Sequence, residues 1–266
     1  LMKKVEEIYK FALKISSYAH NKCLEFQHTQ DDQTRKNDHS WVTQADKQIE
    51  QELRQLILNK YPTHNIVGEE EGGKLDPQKI NWIIDPIDGT FSFVHNIPFY
   101  SCLLAVFDGN TPIVGIANLP GLGIKISSYK DGGVFINEKK YERPALVGHK
   151  NIEIVATSDV YRFERENKKE LIQKLYSKPF KTRTYGDGLA YYLLLNGSVR
   201  IFVDPKVEIW DVAPFHVIMK EAGFAIHSWE KGEHISKGTS VCYPLDNHGK
   251  PLNCSDVLEL IEEKKF

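Results

Sequence analysis

The first repeating signal along the chain is helical. Val5, Ile8, Ala12, Ile15 and Ala19 recur every three or four positions, which predicts an amphipathic helix over residues 3–24. The polar stretch 27–40 carries no apolar period and reads as a loop. Ile49, Leu53, Leu56 and Ile57 mark the inner face of a second helix, which ends near Asn59 ahead of Pro62. Thr43 or Asp46 is placed to cap it. Asn65, Ile66 and Val67 form a short strand, and the apolar run Trp82–Ile84 reads as the end of a buried one. Asp85 then leaves that strand, and Pro86 sets a turn because its ring fixes φ. A short helix is expected from Thr90 to His95, stopped by Pro98. Four strand-like runs follow at 100–107, 112–119, 124–129 and 133–136. Asp108-Gly109, Pro120-Gly121 and Asp131-Gly132 separate them as hairpin signals. This half reads as an antiparallel sheet covered by helices.

The polar segment 139–150, with Pro144 and Gly148, is the expected lobe boundary. It divides the chain into residues 1–145, an α+β lobe, and 146–266, an α/β lobe. The second lobe alternates strands at 152–156, 199–203 and 224–226 with helices at 167–176, 188–195 and 210–222. A last helix is expected over 258–264.

Composition narrows the function classes. A chain of 266 residues is long enough for one large domain or two packed lobes. A net charge of −2 gives no broad attraction to nucleic acid or an anionic membrane. The longest apolar run, Leu103–Phe107, is too short to span a bilayer, and no secretory leader is seen at the start. Cys23, Cys102, Cys242 and Cys254 make no CxxC pair. They read as free thiols of a reducing, cytoplasmic compartment, and a structural zinc is not expected.

The candidate chemistry is acidic. Glu69 follows a strand and sits between glycines, in Gly68-Glu69-Glu70-Glu71-Gly72. Asp85 and Asp88 follow the next strand, and Asp211 lies in the first turn of the helix Trp210-Asp211-Val212-Ala213-Pro214. Two carboxylates about 4 Å apart repel by about 4 kcal/mol near a surface. A hard cation between them reverses the sign, and oxygen-only donors select Mg²⁺, Mn²⁺ or Ca²⁺ over zinc. Gly89 and Thr90 open a helix, where backbone N–H groups suit an anion. Two or three Mg²⁺ bridged by Asp85 would polarise a phosphoryl group and activate a water. Thr90 could hold that water if an acid oriented its hydroxyl. Asp46 is either that acid or a helix cap, and Asp211 is either a ligand or a helix-dipole acid. Gly68 to Lys74 mimics a P-loop, but Leu75 stands where a Ser or Thr is required. The aspartates of Asp85-Pro86-Ile87-Asp88 are spaced by three, which does not fit a phosphoaspartate nucleophile.

Four linked stretches, Val42-Thr43-Gln44-Ala45-Asp46, Gly68-Glu69-Glu70, Trp82 through Thr90 and Trp210-Asp211-Val212-Ala213-Pro214, resemble the inositol monophosphatase family. The resemblance runs to about residue 226. It implies a layered α-β-α-β-α sandwich and Mg²⁺-dependent, lithium-sensitive hydrolysis of a phosphate monoester by a homodimer. It also implies roles. Glu69, Asp85, the Ile87 carbonyl, Asp88 and Asp211 would hold metal. Asp88, Gly89, Thr90 and Asp211 would meet phosphate or substrate. Thr90 with Asp46 would activate the water, with Lys36 near it. Gly186-Asp187-Gly188 matches the loop beneath the substrate. Asp204 matches a hydroxyl-binding acid, usually Glu in this family. The Gly-Asp pair and the Asp204-Pro205 lead into Trp210-Asp211 also resemble bacterial histidinol-phosphate phosphatases. Ser92 and Phe224 depart from the family pattern, and the stretch after Glu230 matches poorly. The expected substrate is a small phosphorylated metabolite, first inositol 1-phosphate, with histidinol phosphate and 3′-phosphoadenosine phosphate as rivals. A non-catalytic metal-binding regulatory protein of the same fold is the reading from a different class.

Overall fold

A computed structural model describes residues 2–27, 33–35, 41–144, 154–232 and 237–262. Lys36 and the expected boundary at 145/146 lie outside the described residues. The first half runs α1 (Met2–Gln27), β1 (Gln33–Arg35), β2 (Trp41–Thr43), α2 (Gln44–Lys60), β3 (Asn65–Gly68) and β4 (Ile80–Asp88). It continues with α3 (Thr90–Val94), β5 (Ser101–Asp108), β6 (Thr111–Leu119), β7 (Ile124–Tyr129), β8 (Gly133–Ile136) and β9 (Lys139–Lys140). The second half runs β10 (Ile154–Thr157), α4 (Val160–Arg165), α5 (Lys169–Tyr176), β11 (Lys181–Thr184), α6 (Asp187–Leu195) and β12 (Ile201–Val207). It ends with α7 (Ile209–Glu221), β13 (Phe224–His227), β14 (Gly238–Pro244) and α8 (Ser255–Glu262).

Strands β3 to β9 form one seven-stranded sheet in sequence order. Only the β3–β4 pair in it is parallel. The second sheet has five strands in the order β11-β10-β12-β14-β13. Helices α1 and α2 pack on one face of the large sheet, where Ile8, Ala12, Ile15, Ile49, Leu53 and Ile57 meet Trp82, Ile84 and Leu104. Helices α6 and α7 lie between the two sheets, with Tyr191, Leu194, Phe215 and Ile218 packed against Leu103 and Ala117 on one side and Phe202 and Cys242 on the other. Helices α5 and α8 bury Leu171, Leu175, Val257 and Ile261 against the outer face of the small sheet. The result is the expected α-β-α-β-α sandwich.

Several local expectations change. Asp85 does not leave the strand. β4 continues to Asp88, and its pairing with β5 shifts register between Asp85 and Asp88. Such a bulge aims two neighbouring carboxylates to one side without ending the strand. Leu56 is exposed, and the inward positions of α2 are Ala45, Asp46, Ile49, Glu50, Leu53 and Ile57. Pro214 lies inside α7, past the first turn, in which a missing N–H costs nothing. It coincides with a close crossing: a Cβ on Gly115 of β6 would lie 2.1 Å from the Pro214 carbonyl oxygen. Pro120 to Leu122 form a 3₁₀ turn rather than a two-residue hairpin. Strands β1, β11 and β14 and helix α4 carried no readable period.

Candidate active site

β4 positions the first two acids. Every residue of it is buried, so Asp85 and Asp88 are carboxylates in a core strand. Asp88 Oδ2 accepts the Gly188 N–H at 2.8 Å and the Ser101 hydroxyl. Glycine is required at 188, since a Cβ there would lie 2.4 Å from Ser101 Oγ. The first turn of α7 supplies Asp211, whose Oδ2 accepts the Glu208 N–H at 2.8 Å. One carboxylate oxygen from each of Asp85, Asp88 and Asp211 lies within 4.8 Å of the others. Asp85 Oδ1 is buried and has no hydrogen-bond partner among the described residues.

The electrostatics agree with the geometry. Burial raises the Asp85 carboxyl well above the usual range, and Glu69, Asp88, Asp211 and Asp46 push it further. Burial also raises Asp88, with Asp187 and Asp211 adding and the Ser101 and Gly188 bonds opposing. Asp211 is pushed up to about 8, chiefly by burial, while the Glu208 bond opposes. Acids that raise one another in this way suit a shared cation. An orphaned carboxylate oxygen and an all-oxygen donor set fit a hard divalent cation. Glu69, expected in the same shell, is not among the three acids that converge within 4.8 Å; it directly follows β3, and its N–H donates to the Ile84 carbonyl at 3.2 Å.

Gly89 sits at the N-cap of α3 with φ 84°, a conformation glycine adopts without strain. Thr90 Oγ1 donates to the Ile87 carbonyl at 3.0 Å and lies 3.4 Å from Asp46 Oδ1. Asp46 Oδ2 accepts the Thr43 N–H at 2.8 Å and the Thr43 hydroxyl at 2.6 Å, completing a capping box. The helix-cap reading of Asp46 is realised on Oδ2, and Oδ1 faces Thr90. Burial pushes its pKa up to about 7, with the Thr43 bonds opposing.

The second half faces the same cluster. Gly186 caps α6 and Asp187 begins it. Asp187 Oδ2 lies 3.0 Å from where a Gly89 Cβ would be. Asp204 is buried, and its Oδ1 accepts from the Ser158 hydroxyl at 3.1 Å and the Lys206 N–H at 3.0 Å. Its Oδ2 is 3.6 Å from the Arg162 guanidinium. Burial opposes the charge on Arg162, yet Asp204, Asp187, Asp211 and Asp88 together outweigh it and raise its pKa. Sequence reasoning missed Ser101, Arg162 and Glu50. Only Glu50 left a trace, as an acid in register with the inward positions of α2. His95 is exposed and its Nδ1 lies 2.8 Å from the Phe91 carbonyl, an ordinary polar contact.

A layered sandwich that gathers carboxylates between its two halves defines a class, the phosphomonoesterases built on this architecture. The family model for the inositol monophosphatase family matches residues 3–260, and the chain belongs to that family. It is a phosphomonoester hydrolase. The chain is 31% identical over 186 residues to a histidinol-phosphatase of Mycobacterium tuberculosis, covering 68% of this chain and 72% of that one. It is 29% identical over 210 residues to inositol monophosphatase 1 of Saccharomyces cerevisiae, covering 72% and 70%. Its fold matches that of an inositol monophosphatase from Thermotoga maritima with a TM-score of 0.80, at 22% identity and 97% coverage of both chains.

Proposed function

We propose that the chain hydrolyses a small phosphate monoester with Mg²⁺ held by Glu69, Asp85, Asp88 and Asp211 and by the Ile87 carbonyl. The observation that carries this is the trio of oxygens from Asp85, Asp88 and Asp211 within 4.8 Å, one of whose carboxylates keeps an unpartnered buried oxygen. Bound Mg²⁺ supplies charge neutralisation at the phosphoryl oxygens and a lowered pKa for the attacking water. Mn²⁺ suits the same donors, whereas Ca²⁺, with its longer and looser coordination, fits without turnover.

The chain's own groups do the rest. Gly89 and Thr90 receive the phosphate with their backbone N–H groups. The Thr90 hydroxyl donates to the Ile87 carbonyl at 3.0 Å and would turn its one proton to Asp46 Oδ1, 3.4 Å away, once that carbonyl holds the cation, which leaves its oxygen free to accept from the water and so to orient it. Asp46 is the proton acceptor. A carboxyl near pH 7 is poised for that task. The alcohol part of the substrate meets Gly186-Asp187-Gly188, Asp204, Asp211 and Arg162. Asp204 lies 3.6 Å from the Arg162 guanidinium, and Asp187, Asp211 and Asp88 add their charge to it, so an acid-rich wall favours an alcohol that donates hydrogen bonds. The hydroxyls of inositol 1-phosphate do so, and the cationic amine of histidinol phosphate does so with charge attraction. The histidinol-phosphatase names of similar chains support the second. 3′-Phosphoadenosine phosphate brings a second phosphate to this acidic wall and is disfavoured. A cytoplasmic homodimer completes the reading; buried free thiols at all four cysteines suit a reducing compartment, and light scattering reads the mass.

A phosphate-release assay with Mg²⁺ over these three substrates tests the assignment. Turnover of one of the first two, abolished in Asp88→Asn with the fold intact, is expected. Equal turnover by the variant sinks the site, and silence of the wild type on all three favours the non-catalytic metal-binding protein.

A further inference from the structure

Glu50 and Arg54 have no part in the chemistry above. Both lie on α2, one and two turns beyond Asp46, so the three side chains share one stripe of the helix. Glu50 is completely buried, a place a carboxylate occupies only with partners. Oε2 accepts the N–H of Glu70 at 2.8 Å, and Oε1 accepts that of Glu71 at 3.1 Å. The Arg54 guanidinium grips the same carboxylate, Nε at 2.9 Å and a terminal nitrogen at 2.8 Å. Arg54 also donates to the Gly72 carbonyl at 2.9 Å and lies 3.3 Å from the Glu71 carboxylate. The pair thus holds three successive residues of the turn after β3. Gly68 makes the room: a Cβ there would sit 2.1 Å from Glu50 Oε1.

We infer that Glu50, braced by Arg54, is a positioning residue that fixes the backbone of the turn from Glu69 to Gly72 and so delivers Glu69 to the cation site. This rests on the functional reading above. Glu69 enters the turn with its own N–H already fixed to the Ile84 carbonyl, beside Asp85. Its carboxylate therefore depends on a backbone pinned at both ends, by β4 before it and by Glu50 after it. Without the second pin, Glu69 reaches the cation only after ordering the turn, and that cost falls on cation binding. The chemical step is spared, because Asp46 is anchored separately by Thr43. A merely structural role for Glu50 would lower thermal stability and leave the cation dependence where it was.

The test uses the full chain with Glu50→Gln and Arg54→Lys. Amide exchange is read at Glu70 and Glu71 without metal, Mg²⁺ binding by calorimetry, and kcat and KM at saturating Mg²⁺. In Glu50→Gln, the two amides are expected to exchange at least about 10-fold faster, and the Mg²⁺ half-saturation to rise about 10-fold or more, with KM and saturated kcat within about 3-fold. Arg54→Lys should move the same quantities the same way by less. A folded Glu50→Gln with wild-type Mg²⁺ half-saturation overturns the inference. If that variant does not fold, an unchanged half-saturation in Arg54→Lys overturns it instead. Wild-type protein that binds no Mg²⁺ overturns the functional reading and this inference together, whereas normal wild-type binding with unmoved variants overturns only the role of Glu50.

Discussion

Asp46 and Asp211 each give one oxygen to the start of a helix. Asp46 gives Oδ2 to the Thr43 cap and Oδ1 to Thr90, and Asp211 gives Oδ2 to the Glu208 N–H. The two jobs separate by substitution. Asp46 is the N3 partner of the Thr43 cap; an Asn oxygen can still accept the Thr43 N–H but cannot take up a proton. Asp46→Asn should therefore cost about 1 kcal/mol of stability or less while phosphate release falls by about 10²- to 10⁴-fold. Asp46→Ala should add a further loss of about 1 kcal/mol in thermal or urea melts, because the buried Thr43 N–H then loses its acceptor. At this scale the acids themselves were legible, because acids emerging from apolar strands stand out. Their anchors were not. Ser101 and Gly188 hold Asp88 from 13 and 100 positions away; Gly188 matches the substrate loop, but nothing beside either residue signals its bond to Asp88.

Helices and strands were legible where one face meets the core and the other meets water. Strands β5 to β8 follow the expected runs within a residue or two. β11 was not legible, because Lys181–Thr184 is an edge strand with a single buried side chain, Thr182. β14 was missed for the opposite reason: it is central, yet its buried run Thr239-Ser240-Val241-Cys242 is built of small and polar residues. The crossing of β6 and α7 at Gly115 and Pro214 could not be read from either element alone. It sets how deeply α7 seats, and α7 carries Asp211. Gly115→Ala places a methyl 2.1 Å from a backbone oxygen. The helix must then lift, at a cost of about 1–3 kcal/mol. Weaker Mg²⁺ binding by calorimetry and a lower melting temperature are expected together.

Across the whole molecule the buried acids oppose folding unless a cation joins them. Burial moves Asp204 from 3.8 to about 6, Asp46 to about 7 and Asp211 to about 8. A carboxyl whose pKa is raised in the folded state binds protons there that the unfolded chain releases. Its folded form is favoured at low pH and loses ground as pH rises from the unfolded value through the folded one. For Asp204 alone, a move from 3.8 to about 6 corresponds to about 3 kcal/mol once ionised. Chelator-treated protein should therefore lose about 5 °C or more in melting temperature between about pH 5 and pH 8. Millimolar Mg²⁺ should flatten that slope, since a ligand of the folded state alone stabilises it. A melting temperature that instead rises with pH in chelator would show that these acids are not held as described.

The helix-starting bonds of Asp46 and Asp211 have a consequence for descent. A lineage that abandoned turnover would keep a use for an oxygen acceptor at both positions, so an Asp or Asn there in a silent cousin says little about lost or kept activity. Asp85 is different, because its Oδ1 serves no part of the scaffold. Among decayed copies of this gene, a neutral or apolar side chain at that position should be the earliest scar.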